Sequence, residues 1–508
     1  MPTVRPRSTT RVATALLFLP ALIIGAFAAA GADGSADDKR WWGPSQDRVW
    51  PETLDYPNEN GVLRTVLSGG PVETAGHPFF EPLGPNGRAC VSCHQPADAM
   101  SLSVRTIRER WQSTGGRDPI FAAIDGSNCP NLPQGVQASH SMLLEHGVFR
   151  IERPWPVTSF NDRPVTPDFD IEVVRDPHGC NSAPGSGPEA GRMSVYRRPR
   201  PVANMKYLLA VGFAYDPKQG LALPRDPDDG SFLAGNLMAD NRAVNLRLQM
   251  EDASRSHQEF LERMDPEDIK RIQAFELSVF TAQQRAGPGV ELDSLGALGG
   301  PATLRDSEAG ALGSQGIPVF SEFAAWEKIS PEEAARMSPE ELRWRRSVAR
   351  GARVFRERTF LISDSAGINS PIGFGNPVRN SCVFCHNMTR MGNDVAPGQV
   401  DLGTTTQPFA DPMPDFPLFR ITCKGPPHPH YGRVILTHDP GFALTTGRCA
   451  DVGKITLQSM RGLSARAPYF SNGSARDLRG VIDYYERRYS IGYTEQEKQD
   501  LVNLMSAL

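Results

Sequence analysis

The stretch "NSCVFCHNMT" at residues 380–389 sets two cysteines three residues apart and follows the second one directly with a histidine. The same arrangement occurs in "GRACVSCHQPA" at residues 87–97. The shared pattern is Cys-x-x-Cys-His, formed by Cys90, Cys93 and His94 and again by Cys382, Cys385 and His386. With 8 Cys and 10 His in 508 residues, chance would give on the order of 0.002 such pentapeptides. Composition therefore does not explain the repeat.

Two chemistries use cysteine and histidine at this spacing. A zinc ion takes thiolates and imidazoles at tetrahedral positions, usually with a second pair of ligands nearby. In c-type haem, the two thiols add to the vinyl groups of the porphyrin and the adjoining histidine binds the iron. Direct adjacency of Cys and His favours haem, because attachment fixes the ring and brings the next residue to its face. The sequence predicts two covalently bound c-type haems, with zinc and purely structural cysteines as the alternatives.

The N-terminus indicates export. Arg5, Arg7 and Arg11 precede an apolar run at 12–30, which ends in small residues. This order is typical of a secretory signal peptide, predicted at 1–32. The alternative is an uncleaved membrane anchor, since the run is long for a signal. We expect a periplasmic protein, without a membrane span if the signal is cleaved and membrane-anchored if it is not.

The other four cysteines fit an oxidising compartment. Cys129 and Cys180 lie in one Gly/Pro/Asn-rich region, and Cys423 and Cys449 lie in another. Four thiols allow three pairings, and pairing within each region is favoured over buried free thiols. The formal net charge of −4 is dispersed along the chain, so no nucleic-acid partner is expected.

The duplicated motif predicts two haem-bearing halves. The Gly- and Ala-rich segment at 281–319 lacks sustained periodicity and is predicted to connect them. The predicted boundaries are 33–285 for the N-terminal haem domain with an insertion, 286–319 for the linker and 320–508 for the C-terminal haem domain. Because strand signals are sparse, the predicted fold is mainly α, with two cytochrome c-like domains, long loops and insertions.

Two helices are predicted around the second haem. One begins at "SPEE", residues 338–341, and places Gly351 four residues before Phe355. The other is the last helix of the chain, which begins after Thr494. A small residue beside an aromatic one lets two helices approach closely, so these helices are expected to pack together.

Three further segments resemble one family. They are "YRRPRPVANMKYL" at 196–208, "LMADNRAVNLRLQMEDASRSHQE" at 237–259, and the segment at 453–505 with "APYFSNGS" and "VIDYYERR". Together with the two haem motifs, they resemble the di-haem cytochrome c peroxidase superfamily, which includes MauG-type enzymes. The resemblance implies two cytochrome c-like domains, with the active site at the N-terminal haem and the C-terminal haem as an electron reservoir.

The resemblance also implies roles around the first haem. Peroxidases of the family carry a histidine shortly after the first motif that caps the iron, but 95–111 contains none. We therefore expect a five-coordinate or water-bound first haem. Gln249 falls on the family's distal glutamine and Glu259 on its catalytic glutamate, and His257 is an alternative acid-base group. Many relatives place a tryptophan relay where this chain has Ala239.

For the second haem, the family uses a distal methionine in peroxidases and a distal tyrosine in MauG-type members. The resemblance aligns Tyr485 with this position, while Met413 and Met460 remain alternatives. Relatives also hold a calcium ion partly through two backbone carbonyls, which correspond to Arg466 and Pro468 here.

The expected function is that of an exported di-haem c-type oxidoreductase. It reduces hydrogen peroxide at the N-terminal haem, or uses peroxide to oxidise a partner, with the C-terminal haem as electron relay. Electrons come from a small redox protein, either a cytochrome c or a cupredoxin, or from a protein substrate. The alternatives are a non-catalytic di-haem electron-transfer cytochrome and a rubber-oxygenase-like dioxygenase.

Overall fold

The computed structural model describes residues 40–161, 163–209, 214–216, 220–222, 233, 236–309, 321–369, 374–386 and 398–508. The predicted signal peptide at 1–32 lies outside these residues. The described residues are 33% helix and 19% strand, with several sheets. The prediction of a mainly α fold is therefore wrong, and the fold is mixed α/β. In the described part of the chain, we find no helix with the length and apolar character needed to cross a membrane.

The helices are α1 Val104–Thr114, α2 Ser141–His146, α3 Met205–Leu209, α4 Leu246–Gln258, α5 Pro266–Ser278, α6 Gly300–Asp306, α7 Pro331–Ala334, α8 Pro339–Glu357, α9 Ala443–Thr446, α10 Leu478–Tyr489 and α11 Glu495–Ser506. The strands are β1 Val49–Trp50, β2 Thr53–Asn58, β3 Gly61–Leu67, β4 Val72–Glu73, β5 Phe149–Pro154, β6 Ser159–Phe160, β7 Arg163–Pro164, β8 Phe169–Arg175, β9 Arg192–Arg197, β10 Ala214–Asp216, β11 Gly220–Ala222, β12 Val279–Ala286, β13 Val290–Glu291, β14 Phe360–Ile362, β15 Val378–Asn380, β16 Gln399–Val400, β17 Leu418–Cys423, β18 Val434–Thr437 and β19 Ile455–Thr456.

The largest sheet has four antiparallel strands in the order β13-β12-β3-β2. A two-residue connection joins β2 to β3, because Asn58 pairs with Gly61. Most of β12 and all of α6 lie in the segment 281–319 that is predicted as an irregular connection, of which residues 310–319 are outside the described part. β12 escapes a periodicity search because it is buried on both faces, so polar and apolar residues do not alternate along it.

A second sheet links distant parts of the chain. Its order is β18-β17-β8, and β8 of the predicted insertion pairs with β17 of the C-terminal half, Ile171 opposite Ile421. Disulfides join Cys129 to Cys180 and Cys423 to Cys449. The predicted disulfide pairing within each region is confirmed. Residues 40–508 form one compact unit, and the predicted haem-domain boundaries stay a prediction.

Helices α8 and α11 pack against each other, as the sequence predicts. Ser338 caps α8 and Thr494 caps α11, each accepting a hydrogen bond from the backbone of the third helical residue. A Cβ atom at Gly351 of α8 would lie 2.1 Å from the backbone oxygen of Asp500 in α11. Glycine is therefore required for this close approach.

Candidate functional site

The first Cys-x-x-Cys-His motif begins with a single tight turn at Cys90–Ser92. Cys93 and His94 then line a cavity, which we call cavity A. Both motif cysteines are free thiols, and burial raises the pKa of each to about 12. The motif therefore presents one neutral thiol, that of Cys93, and the imidazole of His94 at the cavity, while Cys90 is outside its lining.

His94 is fixed in one orientation. Its Nδ1 donates a hydrogen bond to the backbone oxygen of Met100 at 3.0 Å. Burial lowers the pKa of His94 to about 4, so the ring is neutral near pH 7. A neutral imidazole whose Nδ1–H is held by a carbonyl leaves Nε2 as the metal-binding nitrogen. This arrangement fits a proximal haem ligand.

The second motif has the same local structure. A tight turn at Cys382–Phe384 is followed by Cys385 and His386. Both cysteines and the histidine line a second cavity, called cavity B. Both cysteines are free thiols. Burial raises the pKa of Cys382 to about 11 and raises that of Cys385 as well. Each motif thus opens onto a cavity of its own.

The alternative of a zinc site fits these positions less well. Zinc needs thiolate and imidazole atoms that converge on one point. Among the described residues, three or more ligand atoms converge within 4.8 Å only in the cluster of Glu145, His146 and Asp415. Neither motif brings its two sulfurs and its imidazole together in this way, whereas a haem needs them spread along a ring edge and one face.

Helix α4 forms one wall of cavity A. Asn245 caps its start by accepting a hydrogen bond from the Leu248 amide at 2.8 Å. Gln249, Ala253 and His257 follow at a spacing of four residues, which places them on one face, and all three line the cavity. The structure therefore brings Gln249 and His257 together with His94.

Glu259 lies elsewhere. The helix ends at Gln258, and Glu259 adopts a left-handed conformation with φ of 57°, as helix-terminating residues do. Its side chain is exposed and does not line cavity A. Glu259, which the resemblance aligns with the family's catalytic glutamate, therefore lies just beyond the helix face that carries Gln249 and His257.

His257 is held by a residue that the sequence analysis did not single out. Its Nδ1 lies 2.5 Å from Oδ2 of Asp125. The other carboxylate oxygen of Asp125 accepts a hydrogen bond from Nη1 of Arg88. Asp125 stands alone in the loop "AAIDGSN", and no local pattern marks it.

Arginine side chains form a second wall of cavity A. Arg197, Arg198, Arg200 and Arg242 line it. Arg197 pairs with Asp240 at 2.7 Å and with Asp439 at 2.6 Å, both buried. Burial alone would raise the pKa of Asp240, but the Arg197, Arg242 and Arg153 guanidinium groups hold it well below its ordinary value. This fixed positive wall suits an acidic ligand such as the propionates of a haem.

Cavity B has a different lining. It is mostly apolar, with the phenols of Tyr485, Tyr489 and Tyr493 and the thioether of Met460. Burial raises the pKa of Tyr485 well above its ordinary value, so the phenol is neutral before any metal binds. Met413 lies in another cluster, against Met142, Val148, Tyr196 and Phe416. Tyr485 and Met460 therefore both lie in the cavity of His386, and Met413 does not.

The two cavities meet at a shared partition. The Thr456 amide of cavity B donates to the backbone oxygen of Ala239 of cavity A at 2.9 Å. Arg200 donates to the backbone oxygens of Thr456 and Leu457 at 2.9 and 2.8 Å. At the position of the family's tryptophan relay, hydrogen-bonded backbone and an arginine therefore separate the cavities.

The expected calcium position fits poorly. The backbone oxygen of Arg466 accepts a hydrogen bond from Nη2 of Arg198 at 2.8 Å, and the same nitrogen donates to Leu102 at 2.6 Å. A buried guanidinium thus already satisfies the carbonyl that a calcium ion would need, and its charge repels a second cation. The residues present do not fit a calcium ion held through Arg466 and Pro468.

Comparisons with known proteins agree with the family resemblance. No family model matches the chain. The protein "Cytochrome-c peroxidase IdrP1" of Pseudomonas sp. (strain SCT) is 32% identical over 152 residues, which cover 25% of this chain and 36% of that protein. The protein of the same name from Denitromonas iodatirespirans is 28% identical over 146 residues, with the same two coverages of 25% and 36%.

The chain thus spans about a third of the length of these curated relatives. Their names support a di-haem cytochrome c peroxidase-type family, and at that coarse level an oxidoreductase with haem cofactors. The activity, substrates and partners of the whole protein are proposals.

Proposed function

We propose that this chain is an exported di-haem c-type oxidoreductase that reduces hydrogen peroxide in cavity A. One observation carries the proposal: Gln249 and His257 share a cavity with His94. A peroxidatic site needs an iron ligand on one side and a proton-handling group within reach of the other. Cavity A contains both kinds of group, and the names of the two relatives agree with this chemistry.

A haem bound through Cys90, Cys93 and His94 would supply an iron that binds peroxide and takes up two oxidising equivalents. The protein's own residues handle the protons. His257 accepts a proton from the peroxide oxygen nearer the iron and returns it to the outer oxygen, which leaves as water when the O–O bond breaks. The Gln249 amide hydrogen-bonds the outer oxygen and orients it. Two electrons and two protons then complete the conversion of one peroxide to two waters.

Cavity B is proposed to hold the haem that relays electrons. Cys382, Cys385 and His386 would attach it, and Tyr485 is the proposed distal ligand, with Met460 as the alternative in the same cavity. The hydrogen bonds at Thr456 support electron transfer between the cavities, because bonded paths carry electrons better than gaps. The proposed donor is a small redox protein, a cytochrome c or a cupredoxin, in the periplasm, and a protein substrate is the alternative.

The deciding experiment is an absorption spectrum of the purified protein, as isolated and after one equivalent of hydrogen peroxide. High-spin haem that changes within the dead time of mixing supports a peroxide-reactive site. Only low-spin bands that peroxide leaves unchanged identify a non-catalytic electron-transfer cytochrome. Reaction with dioxygen in place of peroxide identifies a dioxygenase, and a long-lived oxidised spectrum with slow donor turnover identifies a MauG-type modifying enzyme.

Substitutions then assign the proton-handling group. His257→Gln is expected to slow the reaction with peroxide by about 10²- to 10⁴-fold, the usual contribution of a general acid-base group. Glu259→Gln tests the family's glutamate, and we expect a smaller loss because its side chain is exposed outside the cavity. The opposite order would move the catalytic role from His257 to Glu259.

A further inference from the structure

The buried carboxylate of Asp125 orients the imidazole ring of His257. Its Nδ1 lies 2.5 Å from Oδ2 of Asp125, a side chain that is 2% exposed, whereas His257 itself is 29% exposed. A carboxylate can only accept this hydrogen bond, so Nδ1 carries the proton. In the neutral ring Nε2 is then the unprotonated nitrogen, on the opposite edge from Asp125.

We propose that Asp125 is a positioning residue that fixes the tautomer and direction of His257, so that Nε2 accepts the proton of a ligand in cavity A. This inference rests on the proposed function, because it needs His257 to act on peroxide. In the proposed step, the proton leaves the peroxide oxygen nearer the iron and binds Nε2, while the Nδ1 proton stays between the imidazole and Asp125. The same proton later moves from Nε2 to the outer oxygen, which leaves as water.

A second charge holds Asp125 in its ionised form. Arg88, which is 1% exposed, pairs with Asp125 through Nη1. Burial alone would raise the pKa of Asp125, but the Arg88 guanidinium and His257 lower it below its ordinary value. The carboxylate can therefore stabilise positive charge on the imidazole while His257 carries the extra proton.

Arg88 is itself fixed by the backbone. It donates to the carbonyl oxygens of Pro119 at 2.7 Å and Ile120 at 2.6 Å. It also donates to the backbone oxygen of His257 at 3.1 Å, and Asn86 donates to the same oxygen at 2.9 Å. The end of α4 is thus tied to the loop that carries Asp125, through both the ring and the main chain of His257.

The experiment uses three probes of the haem-loaded protein. Hydrogen peroxide and hydrogen cyanide each give up a proton when they bind ferric haem, whereas carbon monoxide binds ferrous haem without proton transfer. Asp125→Asn is expected to slow peroxide and cyanide association by about 10- to 100-fold, as loss of an orienting partner does. Carbon monoxide association is expected to stay within about twofold of wild type, because no proton moves. Asp118→Asn is the matched control, since Asp118 is a buried aspartate whose carboxylate binds Arg110 and the Ile120 amide and not His257.

A double substitution with His257→Gln distinguishes a positioning role of Asp125 from a purely structural one. In a His257→Gln background, Asp125→Asn is expected to add no further loss in the peroxide and cyanide rates, because the group it orients is gone. If His257→Gln alone matches wild type, the proposed role of His257 fails. If His257→Gln is slow but Asp125→Asn matches wild type, only the positioning role of Asp125 fails.

Folding of the variant is controlled by removing both charges. Asp125→Asn leaves the Arg88 guanidinium buried without its counter-charge, so Arg88→Met combined with Asp125→Asn is measured as well. The same split between cyanide and carbon monoxide rates is expected for both variants. Equal slowing of all three probes, or failure of both variants to bind haem, would show that Asp125 is structural and would overturn the proposal.

Discussion

Gly351→Ala is expected to disturb the proposed haem site at His386, although Gly351 does not line cavity B. Gly351 lies on α8 where the helix crosses α11, and Phe355 of α8 and Leu501 and Met505 of α11 line cavity B. Arg350 and Ser347 of α8 bind the Asp500 carboxylate on α11, which fixes the crossing point. A change in the spacing of these two helices is therefore a change in the wall of the cavity.

The size of the effect follows from the distances. The added Cβ atom would lie 2.1 Å from the Asp500 oxygen, 2.7 Å from the Asp500 carbonyl carbon and 3.1 Å from Cβ of Leu504. The backbone atoms of Asp500 cannot rotate away as a side chain can, so the two helices must separate by roughly 1 Å to restore normal contact. Overpacking of this kind costs about 3 kcal/mol at the upper end, and alanine returns about 1 kcal/mol of helix propensity. The net loss is about 2 kcal/mol.

The measurement is urea unfolding followed at the Soret band, together with the reduction potentials of both haems. We expect a lower urea midpoint and a shifted potential for the haem at His386, with the haem at His94 unchanged. Gly69→Ala is the matched control, because its Cβ would meet nothing within 4 Å, and it is expected to change stability by less than about 0.5 kcal/mol. A midpoint equal to that of wild type would show that α8 and α11 do not cross this closely.

Three further predictions concern the calcium ion that the family resemblance implies, the buried carboxyl group of Glu276, and the distal ligand of the proposed haem at His386. Treatment with EGTA should leave the peroxide reaction unchanged, because Arg198 already occupies the Arg466 carbonyl; loss of activity that calcium restores would contradict this. Burial raises the pKa of Glu276 from 4.5 to about 8, so the folded state holds a proton that the unfolded state releases between these values. The free energy of unfolding should therefore fall as the pH rises through this window, by about 3 kcal/mol at pH 7. The urea midpoint of Glu276→Gln should not show this fall. Tyr485→Phe should change the spectrum of the haem at His386 and Met460→Leu should not, and the reverse result would make Met460 the ligand.

Local patterns in the sequence predict local structure well. The repeated pentapeptide and the caps of α8 and α11 are each encoded within a few residues, and the four-residue spacing of α4 places Gln249 on the same helix face as His257. The mixed α/β fold was missed because its strands pair over long distances, as β8 does with β17. A single short strand carries little signal of the partner that it will meet.

The residues of the site are likewise predictable where a local pattern marks them, and not where two partners are distant in the sequence. His257 lies 132 residues from Asp125, and Arg198 lies 268 residues from the carbonyl that it binds. Nothing in one sequence marks such pairs, since each partner is an ordinary charged residue in its own segment. Glu259 shows the limit of an alignment by count, because the helix ends one residue earlier and the Glu259 side chain is exposed outside cavity A.

The linings of the two cavities indicate a division of labour between them. Cavity A is lined by His257, which can carry a proton, and by arginines such as Arg197, which is paired with the buried Asp240. Protons can therefore move at His257 while the charges of these ion pairs stay fixed. Cavity B is lined by no Asp or Glu among the described residues, and the pKa of its phenols is raised by burial. Arg466 is the one arginine that the described part of the chain contributes to this lining, which is otherwise mostly apolar. Electron transfer without proton transfer requires little reorganisation in such a mostly apolar setting, whereas O–O cleavage requires a proton carrier. If both cavities hold haem, the chemistry of peroxide therefore belongs at His94 and the storage of electrons at His386.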